Sequence, residues 1–379
     1  MTVIVYVLAT ILTCWLLAKR RMVLAAFPLT LVSGCRWNVG TDFWYTYLPE
    51  FRALEWLRGG GGDALRDALF GPLMPTMRAC GFGDTTAAAL DYFLKVVDRT
   101  EIGFRALMEA AVFCGGGFPM VIAVSSVLVG ACVFTAIARQ SRWPALAAFL
   151  FVAGGSYALS LNLVRQFVAI GFCLVALECV VRRRPLPFVA LVLAGASFHC
   201  SALILLPAYF LMRFDVRPRW WFAAVGVALA LATVMRPLAL WTLPRVGLDR
   251  YVWYLTDERW AREGFEFIFF AINLCFMLLA AWYWDRAKDQ SAYCRLWCCL
   301  TVVGTLALSF SGVLPLMKRI NFYFAAPQFL LLPELLLAEP DFRKRRLLTC
   351  LVILAFIAEF VVATCLLNKN EILPYRICR

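Results

Sequence analysis

The sequence predicts an all-α membrane protein, a polytopic transmembrane helical bundle of about 10–12 spanning or re-entrant helices. Of its 379 residues, 63% are hydrophobic and only 16% are charged, whereas soluble domains carry charges on about a quarter of their residues. Apolar runs recur along the whole chain, and most approach the roughly 20 residues needed to cross a bilayer. They lie at about 2–18, 22–35, 119–138, 144–163, 166–181, 186–212, 220–241, 265–284, 296–314, 320–338 and 347–367. We therefore expect a single integral membrane domain over residues 1–379.

The distribution of positive charge predicts how the chain crosses the membrane. The formal net charge is +13, but the cations lie in segments between apolar runs and form no basic stripe, so the charge does not indicate nucleic-acid binding. The positive-inside rule places all the main basic clusters in the cytoplasm. These clusters are 19–21, 139–142, 182–184, 213–219, 286–295 and 343–346. The N-terminus and the loops 36–118 and 242–264 are then extracytoplasmic.

This topology requires the apolar segment 186–212 to enter the membrane and return to the same side. The segment has Ser197-Phe-His-Cys-Ser201 at its middle, and each half would span only about 18–20 Å as a helix. A re-entrant hairpin fits these lengths, and a single long tilted helix is the alternative. In loop 36–118, the apolar spacing from Thr85 to Val97 predicts an amphipathic helix lying on the membrane.

Several charged or titratable residues lie on the outer side, where the positive-inside rule does not explain the cations among them. They are Arg36, Asp42, Glu101, Arg165, His199, Lys318 and Arg319. A single arginine of this kind is often an interfacial anchor. A group that gathers on one face is more typical of a binding or catalytic site.

Their chemistry suits a lipid diphosphate at the outer leaflet, with an attached glycan that projects outward. Guanidinium groups bind diphosphate through a permanent charge and a forked set of donors, which makes Arg36, Arg165 and Arg319 the candidate diphosphate ligands. A nearby carboxylate or imidazole could accept a proton from an attacking hydroxyl. The candidate catalytic residues are Asp42, Glu101 and His199.

Two of these candidates have alternative interpretations. His199 is the only histidine and could serve as a base or could orient neighbouring helices through a hydrogen bond. Asp42 could serve as a base or could cap a helix that begins after it. The 15 cysteines include no paired CxxC motif, and most lie in apolar segments, so we expect neither a metal site nor a cofactor.

Six short motifs resemble the EpsG family, relatives of Wzy-type polysaccharide polymerases. The first is Arg36-Trp-Asn-Val-Gly-Thr-Asp42, which Tyr45 and Tyr47 follow. The others are Glu101-Ile-Gly-Phe104, Leu163-Val-Arg-Gln166, Ser197-Phe-His-Cys-Ser-Ala202 with Pro207, Arg319 leading to Tyr323-Phe324, and Asn370-Glu-Ile-Leu-Pro-Tyr375. The resemblance covers residues 34–375. The chain departs from the family at Ile102, where proline is usual, and in the segment 53–84, which resembles an insertion.

The resemblance implies a glycosyltransferase of the bacterial cytoplasmic (inner) membrane. It would move a growing glycan from polyprenyl diphosphate to an acceptor repeat unit on the outer face, as in capsule, exopolysaccharide or O-antigen assembly. The implied partners are the polyprenyl-diphosphate-linked oligosaccharide, membrane lipid and other polysaccharide-assembly proteins. The candidate glycan ligands, which stand in these motifs, are Asn38, Thr41, Gln166 and Tyr323.

Two other functions compete with polymerisation. A flippase for the same lipid-linked glycan would need a continuous polar path, and few charges lie in the middle of the apolar runs. The other is a transferase that resembles an O-antigen ligase, or an acyl transferase; acyl transfer would require His199, which stands in no motif typical of that reaction.

Overall fold

A computed structural model describes residues 2–213, 217–247, 265–314 and 317–378, together with Val252 and Thr256. Within these residues every extended regular element is a helix, and one isolated antiparallel bridge joins Arg36 to Ile377. The predicted all-α class is confirmed.

Eighteen α-helices are numbered here along the described chain. The first seven are α1 (Thr2–Ala18), α2 (Met22–Gly34), α3 (Leu48–Arg58), α4 (Asp63–Phe70), α5 (Met74–Ala79), α6 (Thr86–Arg99) and α7 (Ile102–Phe113). Then come α8 (Gly117–Gln140), α9 (Pro144–Ala153), α10 (Ser156–Asn162), α11 (Val164–Val181), α12 (Pro185–Ala196) and α13 (Pro218–Thr242). The last five are α14 (Phe267–Gln290), α15 (Ala292–Ser309), α16 (Met317–Ala325), α17 (Gln328–Leu337) and α18 (Phe342–Phe360).

Tighter or wider helical turns stand between or after some of these helices. The 3₁₀ segments are Gly71–Leu73, Cys200–Arg213 and Pro244–Val246, and the π-helical segments are Phe43–Tyr47 and Val361–Leu366.

Six of the described helices are long and apolar enough to cross a membrane, namely α8, α11, α13, α14, α15 and α18. Two bent pairs raise the number to eight if each pair is one span: α9 with α10, bent by 55°, and α16 with α17, bent by 43°. Shorter apolar helices add α1, α2, α12 and the 3₁₀ segment that begins at Cys200. A polytopic helical bundle is therefore the fold of this protein.

The main core lies around α11, which packs against α8 on one side and α12 on the other. Close approach between α8 and α11 depends on Gly171, since a Cβ atom there would lie 2.9 Å from the Cβ of Cys132. A small residue at such a contact allows two backbones to approach and increases van der Waals packing, which drives helix association in lipid.

The segment 36–118 folds into a helical layer with a separate core. Large side chains from α3, α4, α6 and α7 are fully buried there, including Phe51, Phe70, Phe93 and Phe104. The predicted amphipathic helix is present as α6, capped by Thr85, whose hydroxyl accepts a hydrogen bond from the amide of residue 88 at 3.2 Å. Its apolar face packs on α3 and α4 rather than remaining open for a bilayer.

The segment 186–212 is broken at its middle. Helix α12 ends at Ala196, residues 197–199 form the break, and the 3₁₀ segment Cys200–Arg213 packs back against α12. The structure therefore contains two short helices here, and their depth in the membrane stays a prediction. The predicted outer loop 242–264 lies mostly outside the described residues.

The C-terminal segment lies across the first motif. Trp37 donates its amide to the carbonyl of Arg376 at 2.8 Å, and the amide of Cys378 donates to the carbonyl of Cys35 at 2.9 Å. Gly40 adopts φ +97°, and a Cβ atom there would lie 2.4 Å from Oδ1 of Asn162. Only glycine fits this combination of backbone conformation and close approach.

Candidate functional site

A cavity of about 100 Å³ lies where the layer 36–118 meets the N-terminal ends of α11 and α16. We call it the polar cavity. Its lining residues are Asp42, Thr46, Tyr47, Leu163, Arg165, Gln166, His199 and Arg319. Five of these were candidates from the sequence, and they come from four separate segments of the chain.

Asp42 reaches the cavity because aromatic packing fixes the turn that follows it. Phe43 begins the π-helical segment and packs edge-on against Trp37 and Phe118, with ring centroids 5.1 and 5.2 Å away. The Asp42 side chain makes no capping hydrogen bond to this segment. Asp42 therefore stands at the N-cap position of this segment without capping it through its side chain, and it lines the polar cavity.

Arg165 is held by two carboxylates and two aromatic rings. Its guanidinium lies 3.5 Å from Oε1 of Glu50 and 3.6 Å from Oε2 of Glu101. The guanidinium carbon lies 5.7 Å from the ring centroid of Tyr47 and 5.6 Å from that of Phe104. These contacts fix the orientation of Arg165, whose side chain is 20% exposed.

Glu50 is a site residue that sequence reasoning missed. Its side chain is fully buried, and Thr100 donates to Oε1 at 3.5 Å, while Oε2 has no hydrogen-bond partner. Burial raises the pKa of Glu50 to about 7, and the charge of Arg165 opposes that rise. One signal was available: Glu50 follows the first motif by eight residues, in a segment that is otherwise apolar from Leu48 to Phe51.

Arg319 differs from Arg165 in its surroundings. It is exposed, and among the described residues no hydrogen-bond or ion-pair partner of its side chain is found. Its backbone is fixed, because Gln166 donates from Nε2 to the Arg319 carbonyl at 2.7 Å. Arg319 is therefore the cationic group of the cavity that is ready to meet an anionic ligand.

His199 belongs to a short chain of hydrogen bonds. Its Nδ1 lies 2.6 Å from Oγ of Ser201, and Ser201 donates to the hydroxyl of Tyr323 at 2.9 Å. Burial lowers the pKa of His199; the charge of Glu101 raises it, and the charges of Arg165 and Arg319 lower it further. Burial therefore favours the neutral imidazole, in which Nδ1 is engaged with Ser201 and Nε2 is left to face other groups.

The pKa of the Asp42 carboxyl group, which lines the cavity, is influenced by the charges of both Arg319 and Arg165. Burial raises the pKa of Asp42, while the charges of Arg319 and Arg165 lower it. A carboxylate with a raised pKa is a stronger base than an ordinary aspartate, provided that it remains ionised at working pH. The cavity can thus bind an anion and accept a proton within the same small space.

The model of the EpsG family matches residues 19–377, nearly the whole chain. The chain belongs to the EpsG family. No curated protein and no solved structure matches it. The segment 53–84, interpreted above as an insertion, forms helices α4 and α5 and most of α3.

Motifs that are far apart in this EpsG family chain meet around the cavity. The amide of Gly103 donates to the carbonyl of Ser197 at 2.7 Å, and a Cβ atom at residue 103 would lie 2.6 Å from Oγ of Ser197. Glu101 accepts a hydrogen bond from the amide of Cys200 at 3.2 Å. Ile102, at the departure from the family pattern, begins α7 and is 77% exposed.

Glu101 lies beside the cavity rather than among the residues that line it. Its carboxylate, His199 and Cys200 each offer one ligand atom within 4.8 Å of the others, a grouping that could hold one metal ion. Both oxygens of Glu101 already have partners, in Cys200 and Arg165.

Arg36 lies in a different environment from the other two candidate arginines. It is 2% exposed and donates to the Ser33 carbonyl, to Oγ of Ser126 at 3.1 Å and to the Leu161 carbonyl at 3.2 Å. Burial lowers the pKa of Arg36 to about 10. Arg36 is absent from the lining of the polar cavity.

The remaining candidate glycan ligands divide in the same way. Asn38 accepts a hydrogen bond from Nε1 of Trp44, and Thr41 stands in the turn before Asp42; neither lines the polar cavity. Tyr323 reaches the site only through Ser201. Gln166 is the one candidate of this group that lines the cavity.

Proposed function

We propose that this EpsG family protein polymerises lipid-linked oligosaccharide repeat units on the outer face of the bacterial cytoplasmic membrane. The observation that carries the proposal is the polar cavity, where Arg165, Arg319, Asp42 and His199 converge at the ends of apolar helices. The donor is a growing glycan on polyprenyl diphosphate, and the acceptor is a second lipid-linked repeat unit.

In the proposed reaction, a hydroxyl oxygen of the acceptor sugar attacks the anomeric carbon of the donor. The new carbon–oxygen bond forms as the bond from that carbon to the diphosphate oxygen breaks. The departing diphosphate keeps the electron pair, and its negative charge is stabilised by Arg319 with Arg165 behind it. Donors placed in advance for a developing negative charge make large contributions to catalysis.

Asp42 is the base that we assign to the acceptor proton. Its carboxylate lines the cavity, makes no capping bond, and lies within the electrostatic influence of both arginines. His199 is assigned a positioning role through Ser201 and Tyr323. Glu50 and Glu101 keep Arg165 in place.

The test is incubation of the purified protein with a defined lipid-linked repeat unit, followed by separation of the products by size. We expect a ladder of polymers from the wild type and from Arg343→Ala, a control at an exposed arginine of α18. We expect single repeat units from Arg319→Ala. A folded wild type that gives no ladder contradicts the proposal, and transfer of the unchanged lipid across the bilayer would favour the flippase alternative.

The proposed orientation can be tested without mutation, because the chain has few lysines. A membrane-impermeant amine reagent applied to intact cells should modify Lys95, on the exposed side of α6, and should leave Lys19 and Lys344 unmodified. Peptide mass spectrometry reads the three sites separately. Modification of Lys19 and Lys344 with protection of Lys95 would invert the topology and remove the cavity from the outer face.

A further inference from the structure

A second and larger cavity, of about 410 Å³, lies among helices α9, α10, α11, α14, α16, α17 and α18. We call it the apolar cavity. Most of its lining is aliphatic or aromatic, for example Phe151, Phe167, Ile170, Leu174, Phe276 and Phe322. Its volume is within the range of small-molecule pockets, which are about 300–1,000 Å³. A cavity of this size and chemistry suits a hydrocarbon ligand.

The two cavities follow each other on two helices. On α11, Arg165 lines the polar cavity, and Phe167 and Leu174 line the apolar one. The rise from Arg165 to Leu174 is about 14 Å of helix. On α16, Arg319 lines the polar cavity, and Phe322 lines the apolar one. Each of the two helices therefore has an arginine at its N-terminal end, and the residues that follow it toward the C-terminus form part of the apolar wall.

The apolar cavity also has a side that faces the surrounding membrane. Ile272 of α14 lines it while 40% exposed, and Ala355 of α18 lines it while exposed. Both helices are long and apolar enough to span a bilayer. Ala355 stands near the middle of its span and Ile272 lies in the second turn of α14, so in a bilayer this exposed side of the cavity would face hydrocarbon and a lipid chain could enter there.

The three amide side chains in this wall are paired with one another, whereas Ser156 and the exposed Glu359 of α18 also line the cavity. Asn273 donates to Oδ1 of Asn321 at 2.7 Å, and Gln328 donates to Oδ1 of Asn273 at 2.9 Å. Buried amides that satisfy each other place no demand on a ligand. The walls contributed by α11, α14, α16 and α17 therefore favour an apolar chain, and Glu359 of α18 is a charged residue in the lining.

We propose that the apolar cavity holds the first isoprene units of the donor's polyprenyl chain while its diphosphate lies in the polar cavity. This inference rests on the proposed function. A chain covalently attached to a diphosphate at Arg319 must leave from that point, and the wall that begins at Phe322 and Phe167 is the adjacent apolar surface. An amphiphile with an anionic head and a hydrocarbon tail matches the order of the two cavities.

The test uses the full-length protein in lipid nanodiscs and a polyprenyl diphosphate with a photoreactive group in its first isoprene units. Ala355→Trp narrows the membrane-facing side of the cavity, and Leu354→Trp is its matched control, since Leu354 is the adjacent residue of α18, is 62% exposed and does not line the cavity. We expect crosslinks on residues that line the apolar cavity in the wild type and in Leu354→Trp, and an at least tenfold loss in Ala355→Trp. Ile170→Trp, which fills the cavity from α11, should show the same loss.

Several outcomes would overturn the inference. Crosslinks elsewhere in the chain would contradict it, and so would equal crosslinking in Ala355→Trp and Leu354→Trp. It would also be contradicted if excess phospholipid displaced the probe as effectively as polyprenyl phosphate does. The last result would assign the cavity to an ordinary membrane lipid.

The proposed function is tested separately, by measuring whether the protein produces a polymer ladder. If crosslinks form within the apolar cavity but no polymer ladder appears, the cavity remains the site of the polyprenyl chain and the polymerase function is rejected. Suppose instead that a ladder forms, and that Ala355→Trp and Leu354→Trp change the KM values for long-chain and short-chain donors equally. This result would retain the polymerase function and reject the apolar cavity as the site of the polyprenyl chain.

Discussion

The two ends of the motif Arg36–Asp42 lie in contrasting environments. At one end, Arg36 is buried among the Ser33 carbonyl, the Ser126 hydroxyl and the Leu161 carbonyl, a set of acceptors that we call the Arg36 cradle. At the other end, Asp42 lines the polar cavity and makes no capping bond. Asp42, six positions after Arg36, is available for chemistry, whereas both terminal nitrogens of the Arg36 guanidinium donate to groups of the fold.

The comparison between Arg36 and Arg319 teaches the same lesson for a single residue type. Each is a cation at the end of a helix, on the side that the predicted topology places outside the membrane. The cradle supplies three acceptors to Arg36, whereas Arg319 is exposed beside a cavity and its side chain has no partner among the described residues. A cation already surrounded by acceptors stabilises structure, and one without them can bind a ligand.

The largest expected effect is on the cavity side of this comparison. Asp42→Asn removes the proposed base and should lower the rate of glycan transfer by about 10²–10⁴-fold. Asp98→Asn, at a 75% exposed carboxylate of α6, should leave the rate unchanged. The measurement is the initial rate of ladder growth. A loss in His199→Gln that exceeds the loss in Asp42→Asn would move the base to the imidazole.

The next effect concerns Arg319. Arg319→Ala should lower the rate by about 10²–10³-fold, as removal of one preorganised donor does, with little change in melting temperature. Arg319→Lys should recover part of the activity, because lysine keeps the charge but loses the forked geometry. A fully active Arg319→Ala variant would remove the anion site from this cavity.

Arg36→Ala should instead act on stability. The substitution leaves buried acceptors without donors and should lower the free energy of unfolding by about 2 kcal/mol, measured by thermal denaturation in detergent. The transfer rate per folded molecule should change little. Wild-type stability combined with lost transfer would return Arg36 to the role of diphosphate ligand.

The smallest effect is a pH dependence at Glu50, which is held by the fold and contacts the cavity through Arg165. The pKa of about 7 in the folded protein lies above the ordinary value for glutamate. The native state therefore binds more protons than the unfolded state between about pH 4.5 and 7, and stability falls as pH rises through that window. Glu50→Gln removes this penalty and should gain on the order of 1 kcal/mol relative to wild type from pH 5 to pH 8.

The control for this effect is Glu55→Gln, at a half-exposed carboxylate of the same helix that pairs with Arg52. The stability difference of Glu55→Gln from wild type, measured from pH 5 to pH 8, is the background against which the Glu50→Gln difference is compared. A pH-independent difference for Glu50→Gln relative to this background would show that Glu50 has an ordinary pKa.

The charge pattern of the sequence predicted most of the residues near the site, but it did not predict which of them line the cavity. Asp42, Arg165, Gln166, His199 and Arg319 stand out because polar groups at the ends of apolar runs are rare and costly. Glu50 does not stand at the end of a long apolar run and its burial depends on α6 and α7, so the charge pattern did not single it out. Arg36 shows the reverse case, since its neighbours Ser126 and Leu161 are distant in sequence.

The apolar periodicity of the sequence had a similar limit in predicting the environment of α6. Its apolar spacing predicted an amphipathic helix, because a face of buried residues recurs with the helical repeat. The same spacing suits a bilayer surface or a protein core, so it could not say what covers the face. In the structure, Phe93 and its neighbours are buried against α3 and α4.

The sequence by itself determined the class of this protein and the inventory of its unusual polar groups. Long apolar runs must form helices in a bilayer, since backbone polar groups there have no water to bind. The tertiary structure alone decided which of those polar groups share a cavity and which are consumed by the fold. That choice depends on which distant segments supply acceptors, as Ser126 and Leu161 do for Arg36 while no described side chain does for Arg319.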